Sequence, residues 1–384
     1  MDAQPLYDLT PILRMALLGT VLALGPLAWV WLRNRQAAPA ARLRALTLLT
    51  LFLTFDLVVF GAFTRLSDSG LGCPDWPGCY GNASPLGARD EIHAAQSVQP
   101  SGPVTHGKAW VEMIHRYLAT AVGLLITVMT VSSWLEARRG RATISPWWAT
   151  ATLVWVCAQG AFGALTVTLK LYPAIVTLHL LGGLGLMALL ALQAEQAAPR
   201  PMPLSSGTRR LLYVLTALVL LQVALGGWVS TNYAVLACQE FPTCQGSWWP
   251  AMDFRHGFTL LRELGETQHG DYLPFEALTA IHYSHRLMAY AVLAVMLLAA
   301  WQLRRDGAAA PRHAAKLLLA LAAWQLVSGL SNVVLDWPLV AALAHTAGAA
   351  VLVTLLAIWV LRAAHGDRRE DVHPGSSLPA RAML

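Results

Sequence analysis

The sequence predicts an all-α polytopic membrane protein with nine transmembrane helices, organised as two parallel-repeat four-helix bundles plus one extra N-terminal helix. Three observations predict this. The 384 residues are 56% apolar and only 12% charged, with positive mean hydropathy, far from the usual soluble composition. Apolar runs able to cross a bilayer core, which takes roughly 20 helical residues, recur along the chain. One pattern of residues also occurs twice: Glu112-Met113-Ile114-His115-Arg116, then His282-Tyr283-Ser284-His285-Arg286.

The apolar runs lie at about 11–32, 44–64, 113–135, 147–168, 173–194, 210–231, 278–303, 315–335 and 339–361. The first carries Arg14 and lacks a small-residue cleavage site at a suitable distance, so it reads as a retained helix rather than a signal peptide. The repeat begins only at the second run. Gln159-Gly160-Ala161-Phe162-Gly163 matches Gln325-Leu326-Val327-Ser328-Gly329, 166 residues later, the offset that also relates His179 to His345. Phe60-Gly61-Ala62-Phe63-Thr64 resembles Gly226-Gly227-Trp228-Val229-Ser230. Four spans per copy is an even number, so both copies enter the membrane in the same direction, a parallel repeat. Small residues at Gly182, Gly183, Gly185, Gly226 and Gly227 suit close approach of helices in lipid. The expected organisation is a helix and loop over 1–43, an N-terminal bundle over 44–199, a C-terminal bundle over 200–365 and a polar cytoplasmic tail over 366–384.

Alternate loops collect the basic residues: Arg33 to Arg44, Arg138 to Arg141, Arg200 to Arg210, Arg304 to Lys316 and Arg362 to Arg369. The positive-inside rule makes those loops cytoplasmic. The N-terminus is then outside, the C-terminus inside, and the long loops near 66–110 and 232–277 fall on the outer face. The net charge of +6 follows from topology. Nucleic-acid binding would need basic residues gathered on one surface, and five separated cytoplasmic segments exclude that reading.

Ionisable residues within spans face a bundle interior or cavity and mark function. His115 and His179 in one copy, and His285 and His345 in the other, should sit at similar depth toward the outer leaflet. Two imidazoles at equal depth in one bundle can hold a haem by its two axial positions. Structural zinc wants four ligands, more than each pair offers. Arg116 and Arg286 can snorkel toward the interface, where a cation suits porphyrin carboxylates or simply anchors the helix. Glu112 precedes His115 by three residues, on nearly the same helical face, and the matching position is His282. A carboxylate acid/base group at this position therefore belongs to the first copy alone.

Cys73 and Cys79, and Cys238 and Cys244, lie six apart in the two outer loops. On an oxidising face each pair reads as an intraloop disulfide. Either the bonds only fix the loops, or the first pair takes part in redox chemistry. Cys157 lies within a span and reads as a small buried apolar residue.

Gly-Leu-Gly-Cys-Pro-Asp-Trp-Pro-Gly-Cys after span two, Glu112-x-x-His115-Arg116, His179, Cys238 with Cys244, His285-Arg286 and His345 together resemble the haem A synthase family, across roughly residues 45–362. The resemblance implies an oxidoreductase of the bacterial inner membrane that converts haem O to haem A for terminal oxidases, by oxidising a ring methyl to a formyl group. It implies that His115 and His179 bind substrate haem O, that His285 and His345 bind a haem b cofactor, and that Glu112 is the catalytic glutamate. It further implies haem O synthase and oxidase assembly factors as partners, with an unidentified electron acceptor. The family core has eight helices, so the first span is an addition. A two-haem electron carrier of the cytochrome b type is the rival reading, and it would favour symmetric sites. A transporter explains the duplication but not the matched histidines.

Overall fold

The computed structural model describes residues 10–372, with side chains of the last helix described to residue 366. Most of the tail expected over 366–384 lies outside the described residues. Among the described residues, nine helices are long and apolar enough to cross a membrane, and no strand forms beyond three isolated bridges.

The chain runs α1 (Thr10–Arg33), α2 (Pro39–Leu66), α3 (Arg89–Val98), α4 (His106–Arg138), α5 (Pro146–Thr168), α6 (Pro173–Gln196), α7 (Ser206–Thr231), a 3-10 turn (Ala234–Ala237), α8 (Phe254–Gly257), α9 (Phe275–Arg305), α10 (Ala309–Val334) and α11 (Leu339–Val372). Prolines open α2, α5 and α6, where the missing N–H costs nothing and the fixed φ suits the first turn. Thr105 and Ser205 cap α4 and α7 by accepting from the backbone N–H of Lys108 and Thr208, each removing one orphan donor. The turns into α6 and α11 each place two consecutive residues at positive φ, Lys170 and Leu171, then Asp336 and Trp337.

Helices α2, α4, α5 and α6 pack successively, and α6 returns to α2; α7, α9, α10 and α11 do the same, with α11 returning to α7. The seam between these groups is made by α6 against α7 and by α11 against α2 and α6. Leu184 and Met187 of α6 share one buried cluster with Leu212, Leu215, Met296, Ala350 and Leu356. Helix α1 lies against α4 and α2. Its approach to α4 needs glycine, because a Cβ at Gly19 would stand 2.5 Å from Thr120 Cγ2, and small residues let backbones close in lipid.

Cys157 is exposed on α5, which corrects its expected burial. Helix α5 has only Ala149, Thr152 and Val167 buried, so most of its circumference faces outward and a small apolar thiol can lie there. The first glycine register also shifts. The sequence match set Gly61 opposite Gly227, whereas the structure gives Gly61 and Gly226 the same environment, each against a histidine ring. Gly227 instead packs at the seam, on Leu180 and Thr177 of α6.

The seam is also clasped by charge. Glu195, 2% exposed, accepts from Arg362 Nε at 2.8 Å and Nη2 at 2.7 Å, a bidentate pair joining α6 to α11, and from Arg200 at 3.0 Å. Removing one partner of a buried pair leaves the other undercompensated, here softened by Arg200. Arg362→Ala should therefore lose about 1–3 kcal/mol, seen as a lower thermal midpoint in detergent. An unchanged midpoint would show that the clasp contributes nothing.

Candidate functional site

The four histidines occupy matching positions along the corresponding helices of the two copies. His179 and His345 each lie six residues into α6 and α11, while His115 and His285 lie nine and ten residues into α4 and α9. With 1.5 Å of rise per residue, that is about 9 Å and about 14–15 Å from the respective helix starts.

Each ring is fitted against a glycine on a neighbouring helix. A Cβ at Gly61 would lie 3.0 Å from His115 Cε1, at Gly163 3.4 Å from His179, at Gly226 2.9 Å from His285, and at Gly329 3.1 Å from His345. Three ring edges, those of His115, His285 and His345, thus rest where even alanine would crowd them, whereas a methyl at Gly163 would meet His179 in ordinary contact. From sequence, Gly226 was visible only as a general helix-packing residue, and Gly61, Gly163 and Gly329 only as parts of the repeat. Their pairing with the histidines becomes visible in three dimensions.

The two pairs differ in their surroundings. His115 and His179 each have an enclosed Nδ1 without a hydrogen-bond partner among the described residues. The His115 ring stacks on Phe60 of α2, with centroids 6.2 Å apart and planes 18° apart. In the other pair, His345 Nδ1 lies 3.0 Å from Ser328 Oγ, and His285 Nδ1 lies 3.1 Å from the Gln222 side-chain amide. That amide also donates to the His285 carbonyl oxygen, as the Gln325 amide does to that of His345. Gln222 and Ser328 were not singled out from sequence. The available signal was the repeat, which sets Phe162 opposite Ser328; Leu57 comes opposite Gln222 only in the register the structure gives, with Gly61 matching Gly226.

Above the histidines, the loops are held by α4 and α9. Cys73–Cys79 and Cys238–Cys244 form disulfides, each with Cα atoms 4.9 Å apart and all four cysteines buried. Glu112, 4% exposed, accepts the Cys73 backbone N–H at 2.8 Å through one carboxylate oxygen and pairs with Arg116 through the other. Arg116 Nη1 donates to the carbonyls of Asp75, Pro77 and Gly78. Gly72 permits this approach, since a Cβ there would meet Lys108 and Ala109 backbone at 2.4–2.6 Å. In the second copy, His282 Nδ1 bonds the Ala234 carbonyl at 3.0 Å, and Arg286 donates to the carbonyls of Cys238, Glu240 and Thr243.

Both arginines, expected to snorkel outward, are 8% or less exposed and anchor the disulfide loops. The residue three before each leading histidine also reaches loop backbone, as a carboxylate acceptor in one copy and an imidazole in the other. Within these loops Asp75 receives the N–H groups of Tyr80 and Gly81, and Glu240 that of Gly246. The Gly246 N–H and the Thr243 hydroxyl hold the Glu240 carboxyl below its ordinary range.

A donor set of two imidazoles with ring edges packed on glycine suits a haem held by two axial nitrogens. Among the described residues, no three His, Cys, Asp or Glu side chains gather into a metal-holding cluster.

Fold and site together define a polytopic helical membrane protein with a pair of intramembrane histidines in each half and a disulfide-closed loop over each. Comparison with known proteins places it further: the profile of the cytochrome oxidase assembly protein family COX15-CtaA matches residues 44–357, and the chain belongs to that family. It is 36% identical over 312 residues to a protein of Shewanella oneidensis named Heme A synthase, covering 80% of this chain and 92% of that one. It is 32% identical over 359 residues to a Heme A synthase of Methylobacterium sp., covering 85% and 93%. A Heme A synthase of Nitrosospira multiformis is 30% identical over 336 residues, covering 80% and 89%. The matched segment begins after α1.

Proposed function

We propose that the chain is a haem A synthase, an oxidoreductase that converts haem O to haem A by oxidising a ring methyl to a formyl group. The observation that carries this reading is a family chain whose two histidine pairs differ in one acid/base group, Glu112 above the first and His282 above the second. Haem O is the substrate, and haem A is the product delivered to terminal oxidases.

In this reading His115 and His179 hold the substrate iron, and His285 and His345 hold a haem b cofactor. The segment 44–199 is then the catalytic bundle, and 200–365 the cofactor bundle. When bound at His285 and His345, haem b would supply a one-electron redox centre. Taking a methyl to a formyl with water as oxygen source consumes one water and releases four electrons and four protons, in two successive two-electron oxidations. The electrons leave to an acceptor not yet identified.

Glu112 is the residue for the protons. A carboxylate offers about four lone-pair sites, and Cys73 N–H and Arg116 occupy two, leaving capacity to orient a water or accept its proton. Its fixed position means that no reorganisation is needed when positive charge develops nearby. Arg116 and Arg286 serve the haem propionates alongside the loops they hold. The basic residues of the alternate loops support an outer N-terminus, outer disulfide loops and a cytoplasmic C-terminus in a bacterial inner membrane.

Expression in cells that make haem O but cannot convert it tests the assignment. Extracted pigment should contain haem A by chromatography and mass. Haem O and haem b alone, with the protein present in the membrane, would overturn it in favour of an electron carrier.

A further inference from the structure

The second histidine pair is supported by side chains that the first lacks, and this asymmetry is independent of Glu112. Ser328 Oγ lies 2.7 Å from the Trp324 carbonyl oxygen and 3.0 Å from His345 Nδ1. A hydroxyl has one proton and two lone pairs. The carbonyl can only accept, so the Ser328 proton goes to Trp324. The oxygen facing His345 is then an acceptor, and the proton between them belongs to Nδ1. His345 is therefore fixed as the Nδ1–H tautomer, with the Nε2 lone pair free.

We infer that Ser328 is a positioning residue for the permanent haem: it fixes the tautomer and plane of His345 and strengthens that imidazole as an iron ligand. An outer partner for the second ring nitrogen fixes tautomer and orientation and raises ligand basicity. A more basic axial ligand favours the oxidised iron and lowers the reduction potential. On α9 the His285 ring has a neighbour of the opposite polarity: the Gln222 amide nitrogen, 3.1 Å from Nδ1 and 3.4 Å from Nε2, can only donate, so the tautomer-fixing contact in this pair belongs to Ser328.

In the first pair the position matching Ser328 carries Phe162 and, in the register set by Gly61 and Gly226, the one matching Gln222 carries Leu57, and both Nδ1 atoms are enclosed without a partner among the described residues. Phe162 and Leu57 offer no hydrogen-bonding group. Those imidazoles keep a weaker hold on ring orientation and on iron. That difference suits a site whose haem must enter as substrate and leave as product, beside a site whose haem stays. The inference rests on the assignment of haem b to His285 and His345, and it adds the means by which the two sites are made unequal.

The test uses the full-length protein in detergent, with three variants compared by redox titration and low-temperature EPR. Ser328→Ala should raise the potential of the C-terminal haem, shift its low-spin EPR signal and speed haem b loss by about tenfold. Ser328→Thr, which keeps a hydroxyl, should restore all three toward the parent. His345→Ala should remove that haem signal altogether. If His345→Ala removes the haem but Ser328→Ala leaves potential and EPR unchanged, or Ser328→Thr behaves as Ala, the role given to Ser328 is wrong. If His345→Ala leaves the bound pigment unchanged, the haem assignment fails and the inference falls with it.

Discussion

Glu112→Gln is expected to stop haem A formation while both haems remain bound. Loss of a positioned acid/base group costs typically about 10²–10⁴-fold in rate, enough to leave haem O as the accumulated pigment. The substitution keeps the side chain's size, so the histidine sites beneath should stay loaded. It does change the loop. The carboxylate accepts from Cys73 N–H and from Arg116 together, whereas an amide has one acceptor oxygen and must turn its NH₂ toward one of those donors. A lost hydrogen bond to a charged group costs about 1.5–3 kcal/mol, so a lower melting temperature should accompany the lost activity. Haem content separates the two effects. Retained haem with no product places the defect in the chemistry, and unchanged haem A formation would remove Glu112 from any essential role.

Substituting the histidines should divide the pigments. His285→Ala or His345→Ala should release haem b by more than the roughly 10–100-fold that loss of an outer partner costs a metal site, and activity should vanish with it. His115→Ala or His179→Ala should spare haem b but prevent retention of haem O. The glycine contacts sharpen this expectation, because each ring edge packs on a glycine of a neighbouring helix and a truncated side chain leaves a gap there. Equal loss of both haems from every variant would mean that the pairs are not separate sites.

Much of this was legible in the chain because it is written twice. Histidines inside apolar runs are conspicuous where few charged residues occur, and recurrence in a second copy made them a pattern. The nine spans followed from hydropathy, although α4 begins at His106, seven residues before the apolar run. His106 to Glu112 form polar and aromatic turns above the membrane core, started by the Thr105 cap, and a hydropathy window passes over them. The short helix α3, with Asp90 and Glu91 in its first turn, was hidden in a loop for the same reason. Arg116 and Arg286 looked like interfacial anchors because sequence shows the charge but not the loop folded over it. Ser328 and Gln222 were least visible. A serine or glutamine in a membrane helix is ordinary until its neighbour is known, and only the ring 3.0 Å away gives Ser328 its significance.

The central claim is that one half oxidises a haem and the other keeps one. Purifying the protein from cells with and without a supply of haem O, then identifying the bound pigments by chromatography, tests it most directly. The account predicts haem b under both conditions, joined by haem O or haem A only when haem O is made. Haem b alone under both conditions would contradict it.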